Sequence, residues 1–206
     1  MRSLKIAQIA PIAERTPPKK YGGTERIVHA LTEELVRRGH EVTLFATGDS
    51  QTNARLMSVY PRGLREAKLS DIYGSNNWSM LHIGQVYDME GEFDIIHDHQ
   101  APASMPTANL ANTPVVVTMH GPFTSDNRKL FELLRTPNIV TVSQAQLYPL
   151  PNINHAGTVY HGLPLSDYPF SNEHDGYLLY VGRISIEKGV HYALDVAQVV
   201  DMPLIL

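Results

Sequence analysis

The chain has no cysteine, so it has neither a disulfide framework nor a thiolate metal site. That absence is compatible with a cytoplasmic home. It also lacks a basic field: the formal net charge is −4, which gives no footprint for a nucleic-acid partner. No apolar run approaches the ~18 residues of a membrane helix. Arg2 and Lys5 stand near the N-terminus, but the apolar run around them is short and ends at Pro11, as expected of a first strand rather than a signal peptide. Neither a G-x-G-x-x-G fingerprint nor a Walker loop occurs. No internal repeat or low-complexity tract stands out. With 43% hydrophobic and 18% charged residues, the 206-residue chain reads as a soluble globular protein of one large domain or one and a half ordinary ones.

The most informative stretch is Tyr21-Gly22-Gly23-Thr24-Glu25 and the segment after it. Ile27, Leu31 and Leu35 fall four apart with Val28 beside them, the pattern of an amphipathic helix. Thr24 is the expected N-cap, Arg37 and Arg38 suit the negative end of the helix dipole, and Gly39 suits a left-handed C′ position. Leu4 to Pro11 reads as a strand before the loop and Glu41 to Thr47 as a buried strand after the helix, which together make a βαβ unit. Gly22 and Gly23 would let a ligand approach the positive end of the helix, a natural phosphate or carboxylate site. Taken alone, the pair serves equally well as a plain turn.

Further strands are expected at Leu56 to Tyr60, Phe93 to Ile96, Pro114 to Met119 and Ile139 to Val142. Helices are expected at Trp78 to Met89, Ala103 to Ala111 and Lys129 to Arg135. Apolar strands alternating with helices imply an α/β fold with a Rossmann-like parallel sheet covered on both faces. Thr158 to Pro164 reads as a strand leaving this first domain (residues 1–165), and residues 166–176 as a polar linker. Tyr177 to Val181, a helix near Val190 to Val200, and Pro203 to Leu206 read as a second βαβ unit (residues 177–206). Its strands and helix lack covering partners in the sequence, so the expectation is a second domain cut short, with a C-terminal segment that self-associates, folds back or stays disordered.

Ligands of open parallel sheets bind beyond the carboxyl ends of the strands. His97-Asp98-His99, His120-Gly121 and Ser143 all fall at such ends and would rim one crevice with Gly22 and Gly23. His97 and His99 share a face at metal-ligand spacing, and His120 offers a third nitrogen. Against a metallohydrolase stand the ~250 residues its barrel needs, a first strand without histidine, and the lack of a carboxylate or cysteine to complete the set. His97 is expected instead to cap the sheet by bonding backbone. Ser143 lies outside a G-x-S-x-G elbow, so a nucleophilic role is not expected. Asp94 and Asp98 form no acid/base pair. Arg183 and Lys188 flank a turn and could clamp a diphosphate, or simply be solvated.

In their order these segments resemble the bacterial family-4 retaining glycosyltransferases of the GT-B fold. The resemblance runs through Tyr21-Gly22-Gly23-Thr24-Glu25, Phe93 to His99, Thr118-Met119-His120-Gly121, Thr141-Val142-Ser143, Tyr160 to Pro164, and Val181 to Gly189. It implies two Rossmann-like domains, the first taking the acceptor and the second most of a nucleotide-sugar donor. It implies that Gly22 and Gly23 approach the donor diphosphate, that His120 lies near the reacting centre, and that Arg183 and Lys188 neutralise the leaving group. Glu25, His99, Gly121 and Ser143 would line the acceptor side of the cleft. No metal or other cofactor is implied, nor a protein nucleophile, and the acceptor would be a small molecule, a glycan or a lipid-linked sugar. The family's pair of donor-gripping glutamates has no counterpart here. The expectation is therefore a transferase that is inactive as this chain alone. An orphan sugar- or partner-binding domain and a nucleotide-sugar epimerase remain as rival readings.

Overall fold

A computed structural model describes residues 2–206. They divide into two compact units, one running to Leu163 and the other Pro164–Leu206. In the first unit the chain runs β1 (Lys5–Ile9), α1 (Gly23–Arg37), β2 (Glu41–Phe45), β3 (Arg55–Met57), α2 (Gly74–Asp88), β4 (Ile95–Asp98), α3 (Met105–Ala108), β5 (Val115–Met119), α4 (Ser125–Leu133), β6 (Asn138–Thr141) and β7 (His155–Thr158). The seven strands form one parallel sheet in the order β3-β2-β1-β4-β5-β6-β7. The expected Rossmann-like parallel sheet is what the chain forms.

The strands are short and apolar because both faces are covered. Period-two alternation sorts their side chains between two cores. Ala7, Ile9, Phe45, Ile96, Val117 and Met119 face one core, packed with Val86 of α2, Met105 of α3 and Phe131 of α4. Ala10, Leu44 and Ala46 face the other, where Val28 of α1 meets them.

Several elements differ from the sequence expectation in instructive ways. Gly22, not Thr24, is the N-cap of α1, and no side chain caps that end. Val28 and Thr32 are the deeply buried positions of α1, while Ile27, Leu31 and Leu35 are only half-buried, so the inward face is turned from the one the leucine spacing suggests. Helix α2 begins at Gly74, four residues before Trp78, and α4 begins at Ser125 behind a reciprocal Thr124–Asn127 cap. Strand β3 ends at Met57, and β7 covers His155–Thr158 rather than the segment from Thr158 onward.

The second unit pairs β8 (Leu178–Leu179) in parallel with β9 (Leu204–Ile205), with α5 (Val190–Val199) between them. Among the described residues no helix is long and apolar enough to cross a membrane.

Candidate functional site at the carboxyl edge of the sheet

The strand order reverses between β1 and β4: β2 and β3 lie to one side of β1, and β4 to β7 to the other. A crevice opens at such a switch point beyond the carboxyl ends of the strands. The loop after β1, the start of α1 and the residues following β4 and β5 all reach this edge.

At the start of α1, Gly22 has φ 146° and ψ 74°, a conformation that L side chains rarely adopt. A Cβ there would stand 2.7 Å from Pro18 Cβ and 3.0 Å from a Glu25 carboxylate oxygen. Gly23 opens the helix, and a Cβ added to it would meet no neighbouring atom within 4 Å. The first amides of a helix have no intrahelical acceptor, so the Gly-Gly turn leaves them at an approachable positive end. Glu25 is buried under this turn, and burial is the largest influence raising its carboxyl above the ordinary range. Arg65 pairs with Glu14 at 3.2 Å and lies 5.2 Å from the centroid of the Tyr21 ring.

A row of polar side chains lies on one face of the sheet. Gln8 of β1 is in register with His97 of β4, so their side chains share that face. The Gln8 amide nitrogen is 3.4 Å from His97 Nδ1, and His97 Nε2 is 2.8 Å from Thr118 Oγ1. The Gln8 amide oxygen accepts from His99 Nε2 at 3.0 Å. His99 Nδ1 is 2.8 Å from His120 Nε2, and His120 Nδ1 is 3.3 Å from His161 Nε2. Successive rings stand 4.1, 5.1 and 5.0 Å apart from His97 to His161. The row runs from deeply buried Gln8 and His99 out to exposed His161.

Burial sets the charge of this row. It pushes His97 down to about 4, and burial together with His161 and His97 does the same to His120. His99 is driven well below the ordinary range, again first by burial. At neutral pH the rings are therefore uncharged, and each offers one N–H and one lone pair.

His97 does not bond backbone as expected; its partners are the side chains of Gln8 and Thr118. Asp98, between the two histidines, faces the opposite side of the sheet. There its carboxylate accepts from Tyr87 at 2.7 Å and from the Gln100 amide at 2.7 Å, fully buried. Among the described residues no group of three or more His, Asp or Glu is disposed to hold a metal ion. Gly121 and Ser143 stand beside the row as half-buried loop residues. Gln146 ties their loops together, donating to the carbonyls of Met119 and Gly121 while its own oxygen accepts from the Val142 amide. Ser143 Oγ accepts from the Gln146 amide.

In the second unit, Arg183 and Lys188 are exposed at the turn before α5. Arg183 pairs with Glu187 at 3.1 Å, and the Tyr180 hydroxyl reaches the carbonyls of both Arg183 and Lys188.

The family model described as Glycosyltransferase Family 4 matches residues 21–148, well over half of the chain. The chain belongs to that family. The matched segment begins at the Gly-Gly turn and takes in His97, His99, His120 and Ser143. Among curated proteins, the Glycosyltransferase Family 4 chain is 23% identical to the O-antigen chain mannosyltransferase C of Escherichia coli, over 92% of its own length and 57% of that protein's. Its fold is like that of a glycosyltransferase involved in avilamycin A biosynthesis (TM-score 0.64, 23% identity, 98% of this chain and 55% of that one). It is also like that of a sucrose-phosphate synthase from Thermosynechococcus elongatus (TM-score 0.68, 16% identity, 98% and 61%). These likenesses give the GT-B fold class expected from the sequence. The chain spans a little over half the length of the relatives it matches.

No role was read for Gln8 or Gln146 from the sequence, and Thr118 and His161 were legible only as parts of the Thr118 to Gly121 and Tyr160 to Pro164 segments. Gln8 did leave a signal: a glutamine in the middle of the apolar run Ile6-Ala7-Gln8-Ile9 must find a hydrogen-bonding partner if the strand is buried.

Proposed function

We propose that this glycosyltransferase-family chain takes part in moving a sugar from a nucleotide-diphosphate sugar to an acceptor, with retention of configuration. The observation that supports the reading is the His99–His120 pair at the carboxyl edge of the sheet, the edge from which α1 starts and where the strand order reverses between β1 and β4. In this reading the Gly22–Gly23 turn brings backbone amides to the diphosphate. His120 is uncharged at neutral pH, so it acts by hydrogen bonding to the sugar or the acceptor hydroxyl and contributes no positive charge. The charge that grows on the leaving diphosphate then has to be neutralised by cations. This reading calls on no protein nucleophile. Attack on the same face as the departing phosphate, with that phosphate taking the acceptor's proton, needs none. The named activity of the E. coli relative makes a mannosyl donor the first to try.

Titration of the 15N-labelled chain with nucleotide-diphosphate hexoses tests the reading. Shifts of the Gly22, Gly23 and His120 signals with these compounds, and not with the free hexoses, are expected. Saturating additions that leave all three unmoved would overturn it.

In a longer version of the protein that shows sugar transfer, His120→Ala is expected to lower kcat by about 10–10²-fold with little change in donor KM, because its contacts matter most at the reacting centre. An unchanged kcat with a raised KM would assign His120 to ground-state binding instead.

A further inference from the structure

The row from Thr118 to His161 has a property that none of its members has alone. Every ring nitrogen of His97, His99 and His120, and Nε2 of His161, is committed to a neighbouring group, so one tautomer dictates the next. With the Gln8 oxygen toward His99, His99 must carry its proton on Nε2 and leave Nδ1 as an acceptor. His120 must then donate from Nε2, leaving its own Nδ1 to accept from His161 Nε2. On the other side the Gln8 amide donates to His97 Nδ1, which puts the His97 proton on Nε2, toward Thr118. Turning the Gln8 carboxamide over would reverse every ring and leave an N–H, rather than a lone pair, at the outer end. The threonine hydroxyl at the inner end donates or accepts equally well, so it imposes no direction. Gln8 alone combines a fixed donor and a fixed acceptor, and its 0% exposure removes competition from water.

We propose that Gln8 is a positioning residue that sets the tautomers of His99, His120 and His161 together, so that the row ends in a lone pair on His161 Nδ1. That exposed lone pair is an acceptor for a ligand hydroxyl. The identity of the ligand as a sugar or its acceptor rests on the function proposed above; the tautomer chain does not. His161 also already occupies His120 Nδ1 at 3.3 Å, a long contact for a hydrogen bond, so a ligand hydroxyl meets His161 first or displaces it from His120.

Long-range 1H–15N correlation spectra of the chain labelled at histidine, recorded at pH 7.5 without any ligand, test the proposal. The expected result is the Nε2–H tautomer at His97, His99, His120 and His161. Nδ1–H at His99 or His120, or averaged tautomers along the row, would overturn it. Gln8→Glu with its carboxyl ionised supplies only acceptors: His97 should then exchange its proton from Nε2 to Nδ1 while His99 keeps Nε2–H. Gln8→Leu should release the row, and averaged signals at His99 and His120 are expected. An unchanged His120 tautomer in Gln8→Leu would show that Gln8 does not set it. If Gln8→Leu does not fold, the wild-type and Gln8→Glu patterns decide alone. Because these spectra require no sugar, the expected tautomers combined with a negative nucleotide-sugar titration would count against the proposed function and leave this inference standing.

Discussion

Gly22→Ala is expected to destabilise the first unit by about 2–6 kcal/mol, or to force the turn before α1 out of its present shape. Two costs combine. The backbone at φ 146° lies where an L side chain is strained, a penalty of about 1–3 kcal/mol. The new methyl would also stand 2.7 Å from Pro18 Cβ and 2.9 Å from Pro18 Cγ, and overpacking of that kind costs a further ~1–3 kcal/mol. Neither neighbour can yield easily, since Pro18 is a ring and Glu25 beneath it is buried. Gly23→Ala is the control one residue away. Its methyl meets no atom within 4 Å and it occupies the first position of the helix, where alanine is a better helix former than glycine. Its stability should match or slightly exceed the wild type. Urea midpoints of the two variants settle the matter. A Gly22→Ala protein as stable as Gly23→Ala would show that the turn does not depend on glycine at 22. The pair also separates folding from binding: Gly23→Ala keeps the turn but places a methyl where an anion would approach the helix end, so weaker nucleotide-sugar response in a fully stable protein would locate the diphosphate there.

The contrast between these two glycines indicates what was legible in the sequence. The turn, the helix after it and the flanking strands were all readable from Tyr21 to Ala46, because their determinants are local: glycines, a helical apolar spacing and short apolar runs. The placement of His99, His120 and Ser143 at one edge was readable too, since each follows a strand and all strands of a parallel sheet point the same way. Period-two alternation also put His97 and His99 on a common face. What could not be read is what those histidines touch. Gln8 and His97 are neighbours because β1 pairs with β4, a contact across 89 residues that skips β2 and β3. His161 reaches His120 from beyond β7, in a segment whose sequence reads as a strand but which forms none past Thr158. The inward face of α1 is legible only in part, at Val28, for a related reason. Its burial is fixed by what the sheet offers to Val28 and Thr32, and the leucine spacing carries no information about that.

Mild acid is expected to destabilise the first unit, and the buried histidines are the main cause. His82, His97 and His120 are held near 4 in the fold against an ordinary value of 6.5, each primarily by burial. In the unfolded chain all three take up protons as the pH falls through 6.5, while the folded chain resists until near 4. The unfolded state then binds more protons, so stability that is complete above 6.5 is drawn down between 6.5 and 4. At pH 5 each such group costs about 2 kcal/mol, a sum comparable with the ~5–15 kcal/mol that holds a typical domain together. His99 acts in the same direction. Asp98 and Glu25 act in the opposite direction, because burial raises their carboxyls and the fold takes up their protons before the unfolded chain does. Two carboxyls offset part of the four histidines, so the expected outcome is a clear fall in the urea midpoint between pH 7.5 and pH 5. His82 isolates the effect. It is fully buried in α2, remote in sequence from the polar row, and bonded through Nε2 to the Ala10 carbonyl at 2.9 Å. His82→Gln keeps a donor for that carbonyl and removes the titration. Whatever its stability at pH 7.5, the variant should lose about 2 kcal/mol less than the wild type on moving to pH 5. Equal losses in the two proteins would mean that His82 is not held neutral by burial.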